Sequence, residues 1–535
     1  LPWMAQGSSK SAFELVRNYR AHPASGFLAH EEPSMEAGPG ELLEETKGSG
    51  SVSSRSRSYG SLPEGKNTSQ LGNSTALTSV LIIADVAGAG ILSVPVAIAK
   101  LGWLAGGVTI VACLMINVHI SILLWRVFMC FPQTRSYGEL AAAVFETAPD
   151  WQRRWVPFVL SFLQGSYMFS MLGVNVLTSG KSLGMMFYST HVCLPRWCSI
   201  ACCLLLPLVV GGKKLGSWKW LIWINSFMLL ATVLIPLIFM SVQGVESTRP
   251  PHSTFAAVGP EIGLLVLVSS TGDLAYAMTG QSMLVEIMAE MRSPEEFPRA
   301  YTKLSLPFMC FAFLIVGFGG YYFKGSEASG MINENLPFGV LLQVAALLLL
   351  SHMLVTYVVK STVLCRSIQN AYAGTALGRI DERITWIYLV VVVLFSSWLA
   401  SQVVPFFTEF VNLLGSSLTP LVCWIVPIVL YVCCHIWTLG DMQIGCMEWC
   451  VLGFEVALSL VLMFIGPYLV LESIIDDWES FGAPFACHCE GIWATCDCSG
   501  SHPGMEDLCS AVPTLLLDVG GRAVKCARQR GGAHR

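Results

Sequence analysis

Apolar stretches close to the ~20 residues that cross a bilayer recur eleven times, at about 77–98, 103–126, 156–178, 198–212, 220–243, 262–287, 303–323, 336–359, 384–404, 410–435 and 447–472. Short polar connections separate them. Segment 134–148 (Thr-Arg-Ser-Tyr-Gly-Glu-Leu-Ala-Ala-Ala-Val-Phe-Glu-Thr-Ala) is too short and polar to span, and predicts an interfacial helix. The pattern predicts an all-α integral membrane protein of eleven transmembrane helices. Residues 1–75 break from it. They are rich in Ser, Gly, Glu and Pro, lack an apolar signal-peptide core, and predict a disordered tail that cannot offset its ordering entropy by burial.

The connections fix the orientation. Loops 126–155, 211–219, 290–303, 360–385 and 436–446 together carry 14 Lys and Arg, against 5 in the alternate set. Positive charge favours the inner side, so the N-tail is expected in the cytoplasm and the C-tail, 473–535, outside or in a lumen. The sequons at Asn67 and Asn73 then fall on the inner side and should stay unglycosylated. Spans 1–5 cover 77–243 and spans 6–10 cover 262–435. An odd number of spans per half makes the second half enter from the opposite face. The expected architecture is a 5+5 inverted repeat plus one extra span at 447–472.

The first span of each half carries an interruption: Gly88-Ala89-Gly90-Ile91-Leu92-Ser93-Val94-Pro95 in one, and 269–280, Ser-Ser-Thr-Gly-Asp-Leu-Ala-Tyr-Ala-Met-Thr-Gly, in the other. Unwound backbone is tolerated at membrane depth where it is buried in protein or lines a cavity. A half-helix N-terminus there attracts an anion, and freed carbonyls accept an ammonium or a cation. A zwitterionic amino acid offers both charges. Gly88, Ala89, Gly90 and Ser93 are the candidates in the first break, and Thr271, Gly272 and Tyr276 in the second. Tyr167 and Tyr276 are candidates for the side-chain pocket. The ordinary alternative for Gly-rich spans is close helix packing.

Asp85 and Asp273 lie in these same two spans, where a carboxylate is costly and marks function by default. Each is a candidate proton carrier; each could instead cap freed N–H groups. His352 and Thr356 share a face of span 8. Thr356 or Ser361 could offer oxygen to a cation and His352 could titrate, although a lone His on an apolar helix is commonly an interior group. Glu286 and Glu290 read as a wetted helix end, and Glu409 as a gate or an exposed turn residue.

Composition sharpens the class. The chain is 54% hydrophobic and 13% charged, against about a quarter charged in soluble domains. A net charge of −5 gives no reason to expect nucleic acid. No nucleophile-elbow, zinc-protease or P-loop pattern occurs, so no enzyme, cofactor or metal is expected. Arg55-Ser56-Arg57-Ser58-Tyr59-Gly60-Ser61 in the N-tail is a candidate site for a regulatory kinase, or simply a solvated linker. Six cysteines, Cys487, Cys489, Cys496, Cys498, Cys509 and Cys526, crowd the C-tail. With His488 they could hold zinc, but an oxidising compartment favours disulfides. Cys193 and Cys198 bracket an outer loop and could pair.

The run from Gly88 through Ala99-Lys100-Leu101-Gly102-Trp103 resembles the first-span signature of the amino acid/auxin permease family, which includes vacuolar, vesicular and proton-coupled carriers. Ser136-Tyr137-Gly138-Glu139-Leu140 is similar to its interfacial segment. Ala275 to Met291 with Pro294 resembles its sixth span, Asn333-Glu334-Asn335-Leu336-Pro337 the stretch before span 8, and His352 to Tyr357 a plant-type span 8. Pro405-Phe406-Phe407 and Leu414-Gly415-Ser416 resemble the turn between spans 9 and 10. The likeness runs over about 76–472. It implies a LeuT-type fold with spans 1 and 6 broken, and secondary transport of amino acids, driven by protons or sodium, through alternating access as spans 1, 2, 6 and 7 rock against the rest. Several sodium-coupled members carry Asn just before the glycine pair where this chain reads Ala84-Asp85, which favours protons over sodium.

The expectation is thus a proton-coupled carrier of neutral amino acids, lying in the lipid bilayer of the plasma membrane or of a vacuole or lysosome. An amino acid sensor without flux, or a carrier of an auxin-like acid or a polyamine, is the alternative.

Overall fold

The computed structural model describes residues 72–481 and 485, apart from 189, 191, 213–218, 260–261, 329, 373–380, 404–406 and 441–443. The N-tail, with its kinase run and Asn67, and the six cysteines of the C-tail lie outside the described residues. The membrane unit begins at Asn73.

The described chain is helical; its sole β-type pairing is an isolated bridge between Asn73 and Met291. Among the described residues, eight helices are long and apolar enough to cross a membrane, and the bent pair 75–86 and 89–101 makes a ninth. The 17-residue helix Leu194–Val210 and the broken pair Leu264–Met278 and Leu284–Ala289 occupy the two remaining expected positions. An arrangement of eleven spans fits this set. Large apolar side chains such as Phe227, Phe311 and Phe464 face outward, as lipid contact requires.

Span 1 starts at Ser74, whose hydroxyl accepts the Leu77 N–H, and runs helically over Thr75–Val86. A short 3-10 turn, Ala89–Ser93, leads into the second half-helix, Val94–Leu101, with Pro95 in its first turn, where the missing N–H costs nothing. The axis bends by 50°. Gly102 ends the span at φ +85, and a Cβ there would meet the 257–259 backbone at 2.7–2.8 Å. Span 2 is Trp103–Cys130, and Tyr137–Val144 is the expected interfacial helix, with Ser136 and Glu139 at its start. Span 3 is Asp150–Met186, span 5 Lys219–Gln243, and span 7 centres on Leu306–Lys324. Spans 8 and 9 are Val340–Tyr372 and Glu382–Val403. Span 10 combines Phe407–Ser416, a π-helical turn and Val426–Cys433; span 11 is Cys446–Phe481.

Contacts between helices carry the internal symmetry. Span 1 packs on span 6, 2 on 7, 3 on 8 and 4 on 9, so each packs on its counterpart in the other half. The first half-helix of span 1 lies on span 5, and that of span 6 lies on span 10, the corresponding pair. Self-complementary contacts of this kind follow from a two-fold relation.

Span 11 stands outside the repeat and packs on spans 6 and 10. Two polar contacts also bind it to span 2: a hydrogen bond between His119 Nδ1 and Glu455 Oε1 at 2.8 Å, and an ion pair of Arg126 with Glu448 at 2.8 Å. Tyr431 of span 10 joins the second pair, 3.1 Å from Glu448.

Asn73 is buried, its main chain bonded to Glu290 and Arg292 and its amide donating to Glu290 Oε2 at 3.4 Å. Glycosidase digestion is therefore expected to leave electrophoretic mobility unchanged, whereas a sequon engineered into the 179–197 connection should acquire glycan. A glycan at Asn73 would overturn the orientation expected from the loop charges.

Candidate functional site

The two breaks meet. A Cβ built on Gly90 would run into the Ala277 Cα, so the first break lies backbone to backbone against the last turn of the second. The reciprocal contact involves Gly280, where a Cβ would stand 3.0 Å from Asp85 Oδ2 and 2.7 Å from Val86 Cγ2. Ser93 Oγ donates to the Gly90 carbonyl at 3.0 Å, and Ala89 is buried beside it. Gly88, Ala89, Gly90 and Ser93 thus lie together.

The second interruption falls at Thr279–Met283: Thr279 is extended, Gly280 follows, and Gln281–Met283 forms a 3-10 turn before Leu284 resumes the helix. This is later than the earliest residues of the 269–280 run. Thr271 and Gly272 lie upstream, inside intact helix Leu264–Met278. Gly272 serves packing, because a side chain on Gly415 of span 10 would strike its carbonyl oxygen. Tyr276 is buried one turn before the break, and its carbonyl accepts from Thr279 Oγ1. Tyr167 of span 3, fully buried, has its hydroxyl 3.2 Å from Thr279 Oγ1. The structure therefore brings Tyr167, Tyr276, Asp85 and the first-break residues to one locus.

Spans 2 and 3 brace the second break. Gln164 Nε2 donates to the Ser282 carbonyl at 2.7 Å and to Glu286 Oε1 at 3.3 Å. Gln281, with no exposed surface, donates to Asn117 Oδ1 at 2.8 Å, which also accepts from Trp424 Nε1 at 3.1 Å. These bonds satisfy polar groups that an interrupted helix would otherwise leave bare. Glu286 also accepts the Tyr137 N–H at 3.3 Å, so it fastens the interfacial helix rather than standing at a wetted end. Tyr167→Phe is expected to keep the fold and change substrate affinity, since it deletes one hydroxyl at the break; a binding isotherm on purified protein checks this.

The largest departure from sequence expectation is Lys360. Counted with the cytoplasmic loops, it lies inside span 8, which continues to Tyr372, and is 4% exposed. Its ammonium is 3.3 Å from Asp85 Oδ1 and 3.6 Å from the Met171 sulfur. Asp85 is therefore ion-paired. His352, Thr356 and Lys360 repeat every four residues and so form one stripe on span 8. The i+4 spacing beyond Thr356 was the available signal for Lys360, hidden by ending the span at 359. His352 Nδ1 donates to the Asn225 carbonyl of span 5 at 3.2 Å, while its Nε2 and the Thr356 hydroxyl are buried without partners among the described residues. Ser361 donates to the Val358 carbonyl.

Asp273 stands apart. It is 2% exposed, and neither carboxylate oxygen has a hydrogen-bond partner among the described residues. One turn before it, Ser269 lines a polar cavity of about 70 Å³ together with Lys100, Glu409, Asn412 and Ser473. Glu409 thus borders a cavity. Among the described residues no cluster of metal-ligating side chains occurs. Cys193 and Cys198, which could have paired, do not: Cys193 is disulfide-bonded, while Cys198 is a thiol packed against Gly180.

Two half-membrane helices facing each other across an inverted repeat define a multi-pass membrane fold of the LeuT type. The chain belongs to the transmembrane amino acid transporter protein family, whose model matches residues 72–472. It is similar to amino acid transporter AVT3A of Arabidopsis thaliana, 26% identical over 352 residues, covering 64% of this chain and 77% of that one. AVT3B of the same plant is 23% identical over 397 residues, covering 71% and 88%. Among solved structures, the Eremococcus coleocola manganese transporter superposes with a TM-score of 0.53 at 13% identity, covering 78% of this chain and 90% of that one, a likeness of fold alone.

Proposed function

We propose that the protein moves neutral amino acids across its membrane in symport with protons, by alternating access of the paired breaks. The observation that carries this reading is the charge balance at their junction. Asp85 and Lys360 offset one another, and the nearby Tyr167, Tyr276, Thr279 and glycine backbone are uncharged. A zwitterion with an uncharged side chain matches such a site, whereas a polyamine needs spare carboxylates. The backbone of Gly88–Ser93 and of Thr279–Met283 supplies donors and acceptors for the substrate's two charged ends.

Proton coupling is assigned to Asp273. Its carboxyl group is buried in the membrane with no hydrogen-bond partner for either oxygen among the described residues, and such a group marks a functional site by default. Asp85 already has a counter-ion, and His352 serves the contact between spans 5 and 8. Alternating access is supported by the glycine contacts, which let spans 1 and 6 move as a unit. Cytoplasmic placement of the N-tail, a kinase acting at Arg55–Ser61, and residence in the plasma membrane or a vacuolar or lysosomal membrane belong to the same reading.

The test is uptake of a labelled amino acid panel into proteoliposomes with an imposed proton gradient, a sodium gradient or neither. Accumulation of neutral amino acids with the proton gradient alone is expected. Saturable binding without accumulation would replace the carrier with a sensor.

A further inference from the structure

A break in a membrane helix leaves carbonyl oxygens that attract a cation, and Asp85 adds a formal negative charge to one such break. Charge at this depth demands a counter-charge close by. In a sodium-driven carrier a carboxylate at a break is a place for the ion to bind. Here the counter-charge is covalently attached: Lys360 Nζ lies 3.3 Å from Asp85 Oδ1, with side chains 5% and 10% exposed. The ammonium is enclosed by span 1 through Asp85, by span 3 through Met171, and by its own helix, where Thr356 lies one turn back with its hydroxyl buried and, among the described residues, without a partner. Gly280 brings span 6 against the other oxygen of Asp85. A second monovalent cation entering this space would meet the lysine's own charge at contact distance.

We propose that Lys360 is the resident cation of the broken-helix site, its tethered ammonium filling the place beside Asp85 that sodium would otherwise take. The inference deepens the carrier reading and rests on it for its transport arm only. A lysine cannot leave with the substrate, so the span 1 to span 8 contact is held by charge in each cycle without consuming an external sodium gradient. The Thr356 hydroxyl, one turn away, becomes an oxygen ligand once the ammonium is removed.

Purified protein is melted in sodium chloride and in choline chloride of equal ionic strength, and proteoliposome uptake is measured in the same two salts. The wild type is expected to melt at the same temperature and transport at the same rate in both. Lys360→Ala is expected to melt higher in sodium than in choline and to lose most of its sodium-free uptake. Asp85→Asn combined with Lys360→Ala should show no sodium response. Lys360→Gln, which keeps the chain length, makes the same comparison if the alanine variant does not fold. A sodium-dependent rise in wild-type melting temperature that Asp85→Asn abolishes overturns the inference, as does a sodium-blind Lys360→Ala and Lys360→Gln. If wild-type protein takes up no amino acid, the carrier reading fails, while the melting comparison still decides the place of Lys360.

Discussion

Asp273→Asn is expected to abolish proton-driven accumulation while sparing exchange of substrate across the membrane. Asparagine keeps the shape of the carboxyl group and can carry no proton. One coupled proton moving through ~100 mV supplies about 2.3 kcal/mol, roughly a fifty-fold concentration ratio. The variant should fall from such a ratio toward unity. Counterflow, in which external label exchanges with internal unlabelled substrate, should persist because the breaks are untouched. Its melting temperature should change little, since no hydrogen bond to either oxygen is lost. Undiminished accumulation in this variant would remove Asp273 from the coupling step and shift attention to His352, whose Nε2 is also buried without a partner among the described residues.

The second large effect is expected at Gly90. A valine there must displace the Ala277 main chain, which belongs to the last turn before the second break. Overpacking of a well-filled interior costs about 1–3 kcal/mol, and more where backbone rather than a flexible side chain must yield. Gly90→Val should therefore reduce the yield of folded protein in size-exclusion chromatography and eliminate transport in whatever protein survives. Gly453→Ala is the control. Nothing lies within 4 Å of a Cβ at that position in span 11, so the change should be neutral or slightly stabilising. Equal behaviour of the two variants would mean that the breaks are not packed as described.

Much of this was legible because lipid leaves strong marks on a sequence. Span positions follow from hydropathy, and Gly88-Ala89-Gly90 announces its own interruption. Asp85 stood out as a charge in an apolar run, and Tyr167 and Tyr276 were recognisable as aromatic groups able to line a cavity. Lys360 was not, because a cation at the edge of an apolar stretch looks like the start of a loop until the helix is seen to continue. The second break was displaced for a similar reason: Gly272 and Gly280 are equally small, but only contact with span 10 shows that the first is a packing glycine. Gln281 and Asn117 are 164 residues apart, and no local pattern pairs them. Cys193 and Cys198 are close in sequence, which says nothing about the direction in which their side chains point.

The eleventh span, which the repeat does not require, is the sole source of Glu448 and Glu455. Cutting the chain after span 10 would strand Arg126 and His119 on span 2 without their acids, and would uncover the flank of span 6 that span 11 now covers. The ten-helix remnant would be an incomplete molecule with these polar groups left without their partners, so the leftover helix is as indispensable as any member of the symmetric ten.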